Sequence, residues 1–169
     1  KSLGKLDELR EFWGKESIRR VVPVKGDLGQ PKLGVSKGDL TKLKGKVKHF
    51  FHLGAVYDLE ASAETMHEAN IVGTQTALAF AEAVNAGCFH LVSSIAAAGL
   101  YRGTFTEDMF EEAEDLDHPY YRTKHDSEGL VRANGRIPYR IYRPGVVVGH
   151  SKTGFIDKID GPYYFFKAL

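Results

Sequence analysis

Apolar positions along this chain alternate between two rhythms. Between Lys5 and Trp13, Leu6, Leu9, Phe12 and Trp13 recur at helical spacing, and Gly14 ends the run. Arg20-Val-Val-Pro-Val24 reads as a short strand, with Pro23 placing it at an edge or a strand end. Residues 29–38 form a loop rich in Gly, Pro and Lys, after which Asp39 is positioned to cap a short helix to about Lys44. Lys48-His-Phe-Phe-His-Leu53 is a second strand. From Ala63 to Ala86 the pattern predicts a long helix, with Ala69, Val72, Thr76, Ala79, Phe80 and Ala83 along one side and Asn85-Ala-Gly87 as its stop. Cys88 to Val92 is a third strand and Ile137 to Tyr142 a fourth. Between them lie an irregular acidic segment, 95–117, and a helix from Pro119 to Asn134 stopped by Gly135. Strands alternating with helices predict a parallel sheet with helices on its faces, an α/β fold. Ligands of such sheets sit at the carboxyl ends of the strands. Asp27, Gly54, Ser94 and Arg143-Pro144 all fall there.

Composition narrows the class. The length suits one domain. Hydrophobic content of 43% and charged content of 27% are those of a soluble globular protein. A net charge of +1 carries no argument about a polyanionic partner. Lys37, Lys42, Lys44, Lys46 and Lys48 cluster, and a solvated face explains them better than a nucleic-acid patch, so no nucleic acid is expected. The single Cys88 excludes an intrachain disulfide and fits a reducing, cytoplasmic setting. No run of 18 apolar residues predicts a membrane span. No Cys, His or carboxylate group has metal-ligand spacing along the chain, so no metal site is expected. A nucleophile elbow is missing too.

Chemistry enters with His118-Pro-Tyr-Tyr-Arg-Thr-Lys124-His125. Tyr120 and Lys124 stand four residues apart at the start of the predicted helix, so they share a face. Pro119 suits the first helical position, where no N–H is needed. Free tyrosine, with a pKa of roughly 10, is a poor acid or base at neutrality. A neighbouring ammonium favours the phenolate and makes the pair a proton-transfer device. Tyr163 and Lys167 have the same spacing, and read as an ordinary helix contact.

The order of short motifs resembles the extended short-chain dehydrogenases/reductases. They are Gly26-Asp27-Leu28, His52-Leu-Gly-Ala55, Asn70-Ile-Val-Gly-Thr74, Val92-Ser-Ser94, Tyr120-x-x-x-Lys124 and Tyr142-Arg-Pro-Gly145. Tyr142-Arg-Pro-Gly-Val-Val-Val-Gly149, followed by Thr153-Gly154, looks most like the branch of fatty acyl-CoA reductases and thioester reductase domains. The resemblance implies a nicotinamide cofactor, NADP or NAD, with NADP favoured. It implies Tyr120 as acid or base, Lys124 as its activator and ribose ligand, Ser94 as donor to the substrate oxygen, and Asn70 as an anchor near the lysine. Asp27 and Leu28 would hold the adenine. Leu53, Gly54 and Ala55 would let the cofactor approach the backbone, and Pro144, Gly145 and Val146 would lie along the nicotinamide. Other readings stand beside these: Asp27 as a turn residue, Asn70 as a buried structural amide, Ser93 as a group satisfying backbone, His49 and His52 as packing residues.

The implied function is hydride transfer to or from a carbonyl or thioester, on a small-molecule or acyl-thioester substrate. A sugar-nucleotide epimerase or dehydratase of the same superfamily, and a non-catalytic cofactor-binding protein, are the alternatives. The chain departs from the family's pattern in three ways. Ile95 stands where many members carry the catalytic hydroxyl. Gly54-Ala55 replaces Ala-Ala. The glycine-rich phosphate loop and the first two strands have no counterpart. Residues 1–169 thus read as a single incomplete Rossmann-type domain, inactive alone, with its motifs in 20–150 and a substrate-side region starting at 151–169. Oligomeric state stays open.

Overall fold

The computed structural model describes residues 2–156 and Tyr163. Its elements in chain order are α1 (Ser2–Ile18), α2 (Lys37–Leu43), β1 (His49–His52), α3 (Ala63–His67), α4 (Gly73–Ala83), β2 (Cys88–Val92), α5 (Pro119–Asn134) and β3 (Tyr139–Tyr142). The three strands form one parallel sheet in the order β1-β2-β3. Phe50 pairs with Phe89 and Phe89 with Tyr139, so each strand is in step with the next.

Local chemistry sets the helix ends. The Ser36 hydroxyl caps α2 by accepting from Asp39 N at 3.1 Å, while it donates to the Asp39 carboxylate at 2.8 Å. Asp39 is therefore a first-turn residue and not the cap. Ser62 caps α3 through Thr65 N. α5 opens with Pro119 in its first turn and the His118 ring as cap, Nδ1 accepting from Tyr120 N at 3.1 Å. Gly135, left-handed at φ 60°, ends it. α1 is broken at Gly14 (φ 76°), the point where its apolar stripe stops.

The long helix predicted over 63–86 runs as α3, a π-helical turn (Glu68–Val72) and α4. That wide turn shifts the phase of the face. The buried positions become Met66, Asn70, Ile71, Gly73, Thr74, Ala77, Leu78, Phe80, Ala81, Val84 and Ala86, while Ala79 is exposed. Asn85, at φ 53°, turns the chain out of the helix.

α4 and α5 cover one face of the sheet. Phe89 is fully buried there, stacked on Phe50 at 5.5 Å and packed among Leu78, Ala81, Val84 and Val131. Burying one such side chain contributes roughly 1.5–3 kcal/mol. Alternation along the strands sends His49, Phe51, Cys88, His90, Arg140 and Tyr142 to the opposite face.

The segment Arg20–Val24 does not form the predicted strand. It is exposed, Val22 at 78%, and no described strand lies beside it. An extended segment becomes a strand only where a neighbour accepts its N–H groups, and Pro23 has none to give. The other three strands form, Cys88–Val92 with the expected bounds and two shorter than the pattern suggested, His49–His52 and Tyr139–Tyr142.

Candidate active site

A cleft of about 700 Å³ opens at the carboxyl ends of β2 and β3. Leu53, Ala55, Ser94, Tyr120, Lys124, Pro144, Gly145 and Val146 all line it, together with Ser93. These residues come from four separate segments, and the parallel sheet is what gathers them. Val146, Val147 and Val148 are mostly exposed and give the cleft an apolar wall.

Lys124 is buried, with its ammonium donating to Val92 O at 3.4 Å. Burial holds its pKa below the ordinary lysine value, against the opposing charge of Glu128. Tyr120 lies one turn earlier on α5, half-buried, on the cleft wall. Ser94 Oγ accepts from Ala96 N at 3.1 Å, capping the short 3₁₀ turn Ile95–Ala98. Its hydroxyl proton is thereby left to point elsewhere. Ser93 differs from the backbone-satisfying role its position suggests: its Oγ is buried on the cleft with no hydrogen bond among the described residues.

Asn70 stands behind this cleft. Its amide accepts from Val56 N at 2.8 Å and donates to Val56 O at 3.0 Å and Thr123 Oγ1 at 3.1 Å. It thus ties the loop after β1 to the residue beside Lys124, across the π-helical turn in which it sits. Asp27 and Leu28 lie apart, on a second cavity of about 350 Å³ beside Phe50 and Phe80. The Asp27 carboxylate accepts from Gly29 N at 2.9 Å, a turn contact. Gly54 joins the two regions: a Cβ there would stand 2.6 Å from Leu28 Cδ1. A larger residue at that position would have to turn the Leu28 side chain aside. Tyr163 Oη accepts from Gly149 N at 2.6 Å; Lys167 lies outside the described residues.

His52 is buried, its Nε2 3.2 Å from Thr74 Oγ1. Thr74 spends its proton on Asn70 O at 2.6 Å, so His52 Nε2 is the donor. Burial, then the charge of Lys124, lower its pKa from 6.5 to about 4. The unfolded chain binds the proton more readily, so stability is fully present above pH 6.5 and is lost as pH falls to about 4. The loss is about 3 kcal/mol. His52→Gln is expected to flatten this limb of a urea-midpoint profile; a profile as steep as that of the unaltered protein would assign it to another group.

Arg143 stands at a strand end, as its position in the pattern implies, but its partner lies 15 residues away on α5, where no sequence signal marks it. Glu128 on α5 is fully buried, and Arg143 grips it from Nε at 3.1 Å and Nη2 at 2.7 Å. The same guanidinium donates to Thr106 O and Met109 O and lies over the Phe105 ring. The acidic segment after Ser94 is therefore fastened to α5 and β3. Gly99 helps: at φ 62° its Cα faces Glu114 O so closely that no side chain fits.

A three-stranded parallel α/β sheet that presents Ser94, Tyr120 and Lys124 at its carboxyl ends has the architecture of an extended short-chain dehydrogenase/reductase. Residues 4–169 match the NAD-binding family described as male sterility protein, and the chain belongs to it. It is 34% identical over 166 residues to a linear gramicidin synthase chain of Brevibacillus parabrevis, covering 94% of this chain and 3% of that protein. Identity to the large chain of L-2-aminoadipate reductase of Penicillium chrysogenum is 31% over 166 residues, covering 88% and 12%. Among solved structures, the terminal R domain of the myxalamid biosynthetic pathway superposes with a TM-score of 0.74 at 33% identity, over 86% of this chain and 38% of that one. UDP-glucuronic acid 4-epimerase from Bacillus cereus in complex with NAD gives 0.57 at 26%, over 71% and 38%. The chain spans well under half the length of each of these proteins. No helix among the described residues is long and apolar enough to cross a membrane.

Proposed function

We propose that this chain forms the catalytic side of an NADPH-dependent reductase acting on acyl thioesters. The observation that carries the reading is one cleft at the strand ends lined by Tyr120, Lys124 and Ser94, with the lysine buried. The residues present suit the nicotinamide end of the cofactor. The cleft is mostly apolar, lies where such sheets bind ligands, and holds an unpartnered buried hydroxyl at Ser93. Lys124, Pro144, Gly145 and Val146 would hold that end.

The cofactor, when bound, supplies the hydride. Ser94 donates to the substrate oxygen and fixes the carbonyl beside Tyr120. Tyr120 releases its phenolic proton to that oxygen as the carbonyl carbon is reduced. Lys124 favours the resulting phenolate through its charge. Asn70 holds the loop after β1 and α5 in register, which keeps Lys124 at the cleft. The apolar wall at Val146–Val148 suits an acyl chain. The names of relatives that are reductases, and the similarity to the myxalamid R domain, point the same way.

Ser94→Ala is expected to lower turnover roughly 10²–10³-fold, the usual loss for one donor to a developing oxyanion. Ser93→Ala should cost much less. Equal rates for Ser94→Ala and the unaltered protein would move the role to Ser93. The epimerase likeness supports a second reading, interconversion of a sugar nucleotide. The deciding assay uses the intact protein: thioester-dependent oxidation of NADPH supports the reductase, and conversion of a UDP-sugar without net cofactor oxidation supports the epimerase.

A further inference from the structure

We propose that His49, Cys88 and His90 form a binding site for one zinc-class divalent cation on the sheet face opposite α4 and α5. No linear spacing announces it, since His49 lies far from the other two in the chain. The sheet register builds it. His49 pairs with Cys88 across β1 and β2, and His90, two residues further on, projects from the same face. One donor atom from each residue lies within 4.8 Å of the others.

The geometry is close to what zinc takes. Bonds of about 2.1 Å to nitrogen and 2.3 Å to sulfur place tetrahedral ligands about 3.5 Å apart. His49 Nδ1 and His90 Nε2 already stand 3.0 Å apart, so an ion enters by parting them slightly and turning the thiol inward. His90 is held for the task. Its other nitrogen, Nδ1, meets Tyr142 Oη at 2.9 Å, and its ring is stacked on Phe51 at 4.2 Å and Tyr142 at 5.9 Å. Ligating histidines commonly spend their second nitrogen in this way, which fixes ring orientation. Two imidazoles and a thiol favour zinc over magnesium or calcium, which prefer oxygen.

On binding, the cation displaces the Cys88 thiol proton to solvent and gains a thiolate. His49, with its ring proton on Nε2, and His90 give up their mutual hydrogen bond, and the His90 ring proton moves from Nε2 to Nδ1, where it is donated to Tyr142 Oη. Three protein donors leave a fourth position for water. The ion bridges β1 to β2 at their amino-terminal halves, away from the catalytic cleft, and its role is to fasten the strands.

The test is titration of the reduced chain with Co²⁺, followed by competition with Zn²⁺. A sulfur-to-cobalt charge-transfer band that saturates at one equivalent is expected, and excess Mg²⁺ should not displace the ion. Cys88→Ser should abolish the band. His49→Ala, at an exposed position, should weaken Zn²⁺ binding by about tenfold or more without disturbing the circular dichroism spectrum. Tyr142→Phe should weaken it roughly 10–100-fold through loss of the outer hydrogen bond. Equal Zn²⁺ affinity in the unaltered chain and His49→Ala, or saturation without a thiolate band, would overturn the site. If Cys88→Ser fails to fold, His49→Ala decides alone.

Discussion

Replacing Tyr120 by Phe is expected to lower kcat of the intact enzyme by ~10²–10⁴-fold, the contribution of one positioned proton donor. Cofactor affinity should hold, because the phenol is one wall residue of a cleft that many others line. The expectation rests on placement. Pro119 and the His118 cap fix the first turn of α5, so Tyr120 cannot swing away when its hydroxyl is removed. Lys124→Met should lose turnover as well and weaken cofactor binding. The same change should leave the fold at least as stable, since it removes a buried charge whose burial the structure resists. Tyr163→Phe is the control. It costs a hydrogen bond to Gly149 N and should change rate by no more than a few-fold. Stopped-flow measurement of NADPH oxidation checks the set. Inactivation by Tyr163→Phe, with Tyr120→Phe active, would move the site.

The second large effect is on stability. Arg143→Ala is expected to cost about 3–5 kcal/mol, because it strands a fully buried carboxylate. Glu128 has no solvent to turn to; Arg132 approaches only to 3.9 Å, and Lys124 acts on it through charge alone. Two loop carbonyls, Thr106 O and Met109 O, lose their donor in the same step. The loop leads back to Ser94, so activity should fall along with the unfolding midpoint. Replacing both partners, Glu128→Leu with Arg143→Met, should recover much of the lost stability, since no unpaired charge remains. Urea denaturation of the unaltered protein and the two variants measures this. A loss under about 1 kcal/mol for Arg143→Ala, the range of an exposed pair, would show that the loop does not depend on it.

Much of the fold is legible in the pattern alone. Strand Cys88–Val92 and helix Pro119–Asn134 form where periodicity places them, and Gly135 ends the helix as expected. Caps, turns and periodicity are local properties, fixed by residues within a turn or two of one another. The Tyr120–Lys124 spacing belongs to the same class.

What the sequence could not supply depends on partners distant in the chain. Arg20–Val24 has strand composition, but a strand is a relation to a neighbour, and no described strand lies beside it. Ser36 caps the helix that Asp39 was expected to cap, a choice between two nearby oxygens that backbone geometry decides. The π-helical turn moves the buried face of the long helix by inserting extra backbone that hydropathy does not register. Asn70 reaches Val56 and Thr123, and Arg143 reaches Glu128, across segments that only tertiary packing brings together. His49 meets Cys88 and His90 because β1 and β2 pair in one register; a shift of one residue would send His49 to the core face instead. Local patterning determined most of the elements, Arg20–Val24 excepted. Register and packing decided which side chains meet, because contact is set by position in space and hydropathy carries only position along the chain.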